Sequence, residues 1–587
     1  MKEQANGGST EMAAEVDKRE PTNSEMFISY QSESQGISRL SPSLPSESHI
    51  TPFVLKAVSI ASLGGILFGY DMGVISGALP QITESFGLTN SQSEMVVSFL
   101  YLGGGIGATV GGTLCDTMGR RTAILVTDVV FIVGAAMLYW AWSLRTILIG
   151  RMVVGFGVAV SGLADVAYIH EISPSDWRGS VVSVNEACIS LGFLLAYLAG
   201  YFIDQIYPEE GWRSMFGLGA VVAFVQFLGM LGMPESPQWL RQRGKIEEAV
   251  IAQAKINGGQ GRCSSADYTE VDESNYHIHI PGASSECARH PSEEKSSSCS
   301  SLHQPIQTSE VARPNYATSS LVQAQTSNRS HGVFAISKSS IDSQRSQNVT
   351  GFSSLMALVR TSIHLACSEL SIYSRQASIA VFLSLSQQFC GNTNVLNYAP
   401  EIFQQIGLTS HKSILGATLI LGLIKFSVTC LVIWKIERLG RRFLLLLGMS
   451  TISLSLAMLC FAFRGSGGDY LMSTTSQYMA LFGSFGVTFG YSASFGPLTW
   501  LLTSEMFPTS VRGRALGAST VITYLGACVV SYTFLSVQEM FGPAAPFAIY
   551  CVITLASLVF AALAIPDTGG RSPEQIEAKI LNMWLWR

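Results

Sequence analysis

The chain has 587 residues, of which 48% are hydrophobic and 13% are charged, and its formal net charge is −5. Soluble proteins carry about 25% charged residues, so this composition excludes an ordinary soluble protein. A membrane span needs about 20 mostly apolar residues, and the sequence contains about twelve such runs. We therefore expect an integral, multi-pass membrane protein. Neither its composition nor its net charge indicates a nucleic-acid partner.

The N-terminal part combines a polar tail with a first group of apolar runs. Residues 1–50 are rich in Ser, Glu and Pro and lack hydrophobic periodicity, which predicts a disordered cytosolic tail. Residues 51–240 are expected to form an N-terminal bundle of six helices. The predicted spans are 53–78, 94–115, 122–142, 146–171, 180–203 and 213–233.

The C-terminal part repeats this organisation after a long insertion. Residues 241–375 begin with a predicted short helix near Arg241 and continue as a polar, mostly disordered cytosolic linker whose regulators the sequence does not identify. Its Cys and His residues match no metal-binding spacing, so no metal site is predicted. Residues 376–566 should form a second bundle, and 567–587 a cytosolic tail. The predicted spans are 377–400, 413–434, 443–463, 477–503, 514–536 and 544–565.

A short charged signature occurs once in each half. Asp116–Arg121 lies between the second and third spans, and Glu437–Arg442 lies between the eighth and ninth. An acid, a glycine turn and paired arginines at matching places indicate a duplicated bundle. The predicted fold is all-α, with twelve transmembrane helices in two pseudo-symmetric six-helix bundles. Duplicated bundles of this kind move solutes by rocking about a central site, so we expect a transporter.

The charges of the loops predict the orientation. Basic residues concentrate in alternate loops, and the positive-inside rule then places both termini in the cytoplasm. The sequence contains no nucleotide-binding loop, metal-ligand set or nucleophile–base arrangement. We therefore do not expect an enzyme.

Several short motifs resemble those of one family, the sugar porters of the major facilitator superfamily. They are Gly69-Tyr70-Asp71, Gly150-Arg151, Pro234-Glu235-Ser236-Pro237, Gln387-Gln388, Gly496-Pro497 with Trp500, and Pro566-Asp567-Thr568. Within the family the chain is most similar to animal glucose transporters of the class that includes types ten and twelve, and to proton–myo-inositol symporters.

This resemblance implies alternating-access transport of a glucose-like hexose, with a proton–myo-inositol or polyol symporter and a non-transporting sugar sensor as alternatives. It implies no cofactor beyond a proton gradient and leaves proton coupling open. We expect a monomer in the lipid bilayer, in the plasma membrane or, alternatively, an endomembrane.

The resemblance also predicts the sugar ligands. Gln387 and Gln388 match the glutamine pair of the family, and Trp500 matches its aromatic platform. The usual asparagine position is occupied by Thr393, so Asn394 is the expected substitute.

Two further cavity positions are charged in this chain. Glu186 and Lys425 stand where many members carry Gln and Asn. We expect them to pair across the two halves and to line the cavity; the alternative is that each pairs within its own half.

Charged residues inside a membrane are candidate functional groups. Counting from the span ends places Asp71 and Arg151 in the same half of the membrane. The resemblance makes them a proton-coupling pair, with a fixed structural ion pair as the alternative. Asp128 and Asp165 have no evident base. A second proton site at either residue is one alternative; more often, such acids face a wet cavity or bond a neighbouring hydroxyl.

Gating residues are predicted at both ends of the bundle. Tyr398 matches the aromatic outer gate of the family. At the cytosolic end, glutamates and arginines are expected to form salt bridges between the halves. This predicted network comprises Arg120, Arg121, Glu171, Arg178, Glu437, Arg441, Arg442, Glu505 and Arg512.

Overall fold

The computed structural model describes residues 51–174, 178–257, 373–464, 473–569, 571 and 573–582. The predicted tail 1–50, most of the predicted linker and the last residues of the chain lie outside this part. Within it, ten helices are long and apolar enough to cross a membrane. Two more spans are formed by broken helices, so that the predicted all-α fold with twelve spans is confirmed.

The first six spans are continuous helices. Helix α1 begins after Thr51, whose hydroxyl accepts a hydrogen bond from the Val54 amide and donates to the carbonyl of Ile256 at 2.7 Å. The predicted short helix near Arg241 is present as two helices. The helices of this half are α1 (Pro52–Phe86), α2 (Asn90–Met118), α3 (Arg120–Tyr139), α4 (Leu144–Ile172), α5 (Arg178–Ile206) and α6 (Gly211–Leu231), followed by α7 (Pro237–Gln242) and α8 (Ile246–Ile256).

The second half contains the broken spans. Span 7 consists of three helices, span 10 of two, and span 11 of two. The helices are α9 (Ser374–Phe389), α10 (Asn392–Asn397), α11 (Ala399–Gln405), α12 (His411–Leu439), α13 (Arg441–Arg464), α14 (Thr474–Ala493), α15 (Phe495–Met506), α16 (Thr509–Tyr532), α17 (Phe534–Phe541), α18 (Ala545–Ala564) and α19 (Pro573–Asn582).

The breaks in spans 7 and 10 have local causes. Gly391, between α9 and α10, has a φ of 77°, and a Cβ there would lie 2.4 Å from the Tyr550 ring. Only glycine meets both conditions easily. Span 10 breaks at Ser494, whose φ and ψ are −126° and −87°, shortly before Pro497, which has no amide hydrogen to donate. Broken membrane helices expose backbone carbonyls and amides where a site can use them.

The two halves contact each other along two pairs of spans. Span 2 packs against span 11, and span 5 packs against span 8. We call the end of the bundle that carries Asp116–Arg121 and Glu437–Arg442 the signature end, and the opposite end the far end. The space between the halves is bordered by spans 1, 2, 4 and 5 on one side and by spans 7, 8, 10 and 11 on the other.

Candidate functional site

Span 7 presents a row of polar side chains beside its break. Gln387 is buried, and its amide nitrogen donates to the Tyr491 hydroxyl at 3.0 Å and to the Phe495 carbonyl at 3.4 Å. Its side-chain oxygen has no partner among the described residues. The Gln388 oxygen accepts a hydrogen bond from the Thr393 hydroxyl at 2.9 Å. Gln387, Gln388 and Thr393 therefore lie together, as the sequence predicted.

Asn394, the expected substitute ligand, is bonded to its own half through its side-chain nitrogen. Its side-chain nitrogen donates to the Val530 carbonyl at 2.9 Å and to the Tyr550 hydroxyl at 2.8 Å, and the residue is fully buried. Both amide hydrogens are thus used within the C-terminal half. The Asn394 side-chain oxygen has no partner among the described residues, so the role of Asn394 as a sugar ligand stays a prediction, as does that of Thr393.

Span 10 adds an aromatic residue that the sequence analysis missed. Tyr491 lies just before the break at Ser494, and its hydroxyl bonds Gln387. The predicted platform, Trp500, is half-buried one turn beyond Gly496 in α15. An aromatic residue flanking a Gly-Pro break inside a span was a usable signal for Tyr491.

Lys425 faces the same region from span 8. Its ammonium nitrogen lies 4.8 Å from the centre of the Phe193 ring and 5.2 Å from that of Tyr491. Cation–π contacts of this kind are attractive and are stronger where water is excluded. Phe193 belongs to the N-terminal half and Tyr491 to the C-terminal half, so Lys425 contacts both sides of the cavity.

Glu186 reaches the same interface at a different height. A Cβ added to Gly496 of span 10 would lie 3.8 Å from the nearer Glu186 carboxylate oxygen. Glu186 and Lys425 interact electrostatically. The described contacts include no ion pair between them within 4.0 Å.

The helix register explains this separation. Gly422 lies against Leu194 and Tyr197, which puts Lys425 level with Phe193, seven residues from Glu186. That offset corresponds to about 10 Å along the helix axis. Helix α12 runs from His411 to Leu439, so Lys425 lies at its middle. The predicted pair shares one cavity but forms no direct ion pair in this conformation.

Asp71 and Arg151 lie next to each other, as their depths predicted. The Arg151 guanidinium donates to the main-chain carbonyls of Asp71, at 3.1 Å, and Val96, at 3.2 Å, and lies 5.8 Å from the Phe216 ring centre. Asp71 is 5% exposed, and its Oδ2 atom has no hydrogen-bond partner among the described residues. Arg151 is therefore held by backbone carbonyls, and the Asp71 carboxylate is left available.

The far end is closed by contacts between the halves. The Asn397 side-chain amide donates to the Tyr101 hydroxyl at 2.8 Å, and the Tyr197 hydroxyl donates to the Leu396 carbonyl at 3.2 Å. Tyr398, the predicted gate, donates to the Ser531 carbonyl at 2.9 Å and belongs to the same half as that partner. The observed bridge at this level is made by its neighbour Asn397.

A carboxylate also joins the halves at the far end. Glu94 of span 2 accepts hydrogen bonds from the Ser536 amide at 2.7 Å and from its hydroxyl at 2.5 Å. Ser536 lies in the first turn of α17, where a negative charge is stabilised by the free amides of the helix. Beside it, the Asn90 amide donates to Glu539 at 3.0 Å. The sequence analysis did not identify either contact.

At the signature end of the N-terminal half, Glu171 is the centre of a cluster. Arg120 donates to it at 3.0 Å, and the Ser236 hydroxyl also bonds it. Glu235 accepts from the Arg121 main-chain amide at 2.9 Å and so caps α3. The Arg121 side chain bonds the last carbonyls of α6 instead of an acid.

The C-terminal half repeats this cluster. Glu505 lies 3.4 Å from the Arg441 Nε atom and accepts a hydrogen bond from Thr568 at 2.5 Å. Arg441 also pairs with Glu437 at 2.9 Å, and Arg442 donates to the Ala562 carbonyl. These pairs lie within one half, so they do not form the predicted bridges between halves in this conformation. Arg512 is half-buried, and the Arg178 side chain lies outside the described part of the structure.

The comparisons with known proteins agree with this arrangement. The family model described as "Sugar (and other) transporter" matches residues 57–278 and 310–580. The chain is 28% identical to a zebrafish (Danio rerio) protein named solute carrier family 2, facilitated glucose transporter member 10, over 90% of this chain and 92% of the relative. It is 26% identical to myo-inositol transporter 2 of Schizosaccharomyces pombe, over 92% of this chain and 83% of the relative.

A solved structure is also similar. It shows the proton:xylose symporter XylE bound to 6-bromo-6-deoxy-D-glucose, with a TM-score of 0.62 and 25% identity over 92% of this chain and all of the other. The predicted resemblance is thus confirmed by both kinds of comparison. The chain belongs to the sugar transporter family of multi-pass membrane proteins.

Proposed function

We propose that this protein carries a sugar or polyol between its two halves by alternating access. The observation that carries the proposal is the cavity group formed by Gln387, Gln388, Thr393 and Tyr491, with Trp500 one turn further along span 10. Side-chain amides recognise sugar hydroxyls, and aromatic rings suit the apolar face of a sugar. A few convergent polar groups among apolar walls are typical of a small-molecule site.

A glucose-like hexose is the first substrate to test, and myo-inositol is the second. Relatives named for glucose and for myo-inositol transport support these two choices. Competition by unlabelled hexoses and inositols against labelled glucose uptake would separate them. Binding without flux would instead support a sugar sensor.

Proton coupling at Asp71 is the second part of the proposal. A carboxylate that Arg151 does not engage directly keeps its oxygens available for a proton, while the nearby positive charge favours its release. The alternative, a fixed ion pair, would hold the carboxylate on the guanidinium throughout the cycle. The similar structure of a proton:xylose symporter supports coupling.

The experiment uses purified protein in proteoliposomes, with an inward proton gradient or without one. We expect the gradient to drive labelled-sugar accumulation in the wild type. Asp71→Asn should abolish accumulation but retain sugar exchange between equal concentrations. Asp204→Asn, which alters an acid bonded to Gln81 near the far end, is the matched control and should accumulate normally. Accumulation by Asp71→Asn at the wild-type level would refute coupling at this residue.

We further propose an inward-facing conformation with both termini in the cytoplasm. The far-end bridges between the halves and the signature-end pairs within each half support it. The signature end would then face the cytosol. We also propose that the protein is a monomer and that it resides in the plasma membrane or an endomembrane. Protease accessibility of terminal tags in sealed vesicles tests the orientation.

The regulators of the 241–375 linker are to be identified by interaction experiments.

A further inference from the structure

A second group of acids lies inside the N-terminal half, away from the cavity between the halves. Asp165 of span 4 is 1% exposed and accepts hydrogen bonds from the Ser161 hydroxyl at 2.5 Å and from the Gln226 amide at 3.3 Å. Two donors therefore stabilise Asp165 in its charged form.

Asp128 of span 3 is in the opposite situation. It is 0% exposed, and neither carboxylate oxygen has a hydrogen-bond partner among the described residues. An isolated carboxylate in an apolar interior is so costly that the group normally takes up a proton instead. The surroundings of Asp128 thus favour its neutral form.

The helix register places the two acids at one level. Gly134 of span 3 lies against Val154 of span 4, because a Cβ on Gly134 would touch Val154. Likewise, a Cβ on Gly157 of span 4 would lie 3.6 Å from the Phe131 ring of span 3. These two contacts define the register between spans 3 and 4. Continuing this antiparallel register puts Asp128 opposite Ser161, the residue that bonds Asp165. The two carboxyl groups also interact electrostatically.

Among the described residues that bond Asp165, none carries a positive charge. Span 6 contributes Gln226, which is fully buried and whose side-chain oxygen is unpartnered among the described residues. Span 1 contributes the Ala61 carbonyl, which accepts from Gln226 at 3.4 Å. On span 2, Cys115 is buried, and the Arg120 guanidinium donates to the Cys115 carbonyl at 3.3 Å.

We propose that Asp128 and Asp165 form a buried proton-binding site of the N-terminal half, with the proton on Asp128 and the negative charge on Asp165. Two carboxyl groups at one level of an apolar interior do not ionise together easily, so the acid without hydrogen-bond donors keeps its proton. The site is separate from Asp71, and its existence does not depend on which solute the protein carries. It would give this half a proton site that the sugar cavity does not touch.

Infrared difference spectroscopy of the purified full-length protein tests this directly. A protonated carboxyl group has a carbonyl stretch that is distinct from that of a carboxylate and shifts in D₂O. At neutral pH we expect the wild type to show one such band that is lost in Asp128→Asn. In Asp165→Asn the band should remain but change frequency, because the neighbouring carboxylate is gone. Asp204→Asn is the control and should leave the band in place.

Three results would overturn the proposal. The first is an identical carboxyl region in the wild type and Asp128→Asn, which means that Asp128 is ionised. The second is loss of the band when NaCl replaces choline chloride, which means that the acids bind sodium. The third applies even if Asp128→Asn cannot be purified. It is an unchanged frequency of the protonated-carboxyl band in Asp165→Asn, which means that the two acids do not interact. None of these measurements involves sugar flux, so they are independent of the transport assay.

Discussion

The two halves share one fold but differ in their buried polar groups. The N-terminal half buries charged residues, including Asp71, Arg151, Asp128 and Asp165. The C-terminal half borders the cavity mainly with amides and hydroxyls, such as those of Gln387 and Thr393, and adds one ammonium group, that of Lys425. Amides form hydrogen bonds in fixed directions without changing charge, whereas carboxyl groups bind and release protons. This difference supports the proposed division of roles, in which the C-terminal half recognises the solute and the N-terminal half binds protons.

The largest expected effect tests recognition by the C-terminal half. Gln387→Ala removes the donor to Tyr491 and Phe495 together with the free amide oxygen. Without this side chain, the proposed hydrogen bonds from Gln387 to the sugar are lost, and sugar binding should weaken roughly tenfold to a hundredfold. Equilibrium binding to purified protein measures it, and Gln404→Ala, an exposed glutamine in α11, is the matched control. If binding is unchanged, recognition does not belong to this group.

The next effect concerns the contact that keeps the halves together at the far end. Glu94→Gln removes a charge that receives two bonds from Ser536. Charge-assisted bonds are about twice as strong as neutral ones, so amide exchange at the start of α17 should rise about tenfold. Hydrogen exchange with mass spectrometry reads this out. Glu539→Gln, which affects the more exposed bond to Asn90, should change exchange less. An equal rise in amide exchange in both variants would show that Glu94 contributes no more than Glu539 to the contact between the halves.

A smaller effect is expected for the coupling between Glu186 of the N-terminal half and Lys425 of the C-terminal half. Glu186 and Lys425 share the cavity without a direct ion pair. A double-mutant cycle on sugar transport with Glu186→Gln and Lys425→Asn should therefore give weak coupling, about 0.5 kcal/mol or a factor of about two. Coupling of about 2 kcal/mol or more would show that the pair closes directly in another conformation.

The smallest effect compares equivalent positions of the two signature-end clusters. Ser236 bonds Glu171, and Thr568 bonds Glu505. Ser236→Ala and Thr568→Ala should each cost about 1 kcal/mol and lower the unfolding temperature by a similar, small amount. Thermal unfolding in detergent measures both, with the exposed Ser59→Ala as the control. A shift confined to one variant would show that the clusters are not equivalent.

The accuracy of the sequence-based predictions depends on how local the determining interactions are. Asp71 and Arg151 were placed together correctly because their depth follows from counting along regular helices. Lys425 was predicted to pair with Glu186, but the register of spans 5 and 8 sets Lys425 level with Phe193, seven residues from Glu186. For Asn394, a predicted ligand, the sequence did not reveal the bonds from its side-chain nitrogen to Val530 and Tyr550, which are far away in the chain. No local pattern reveals such partners.

The sequence by itself determined the spans, the duplication and the family, because length, hydropathy and short motifs are properties of neighbouring residues. Only the tertiary structure decided which polar groups meet. The break at Gly391, the bond from Gln387 to Tyr491 and the position of Asp128 opposite Ser161 all depend on helix registers. Those registers are set by side-chain packing between helices, to which residues far apart in the chain contribute equally.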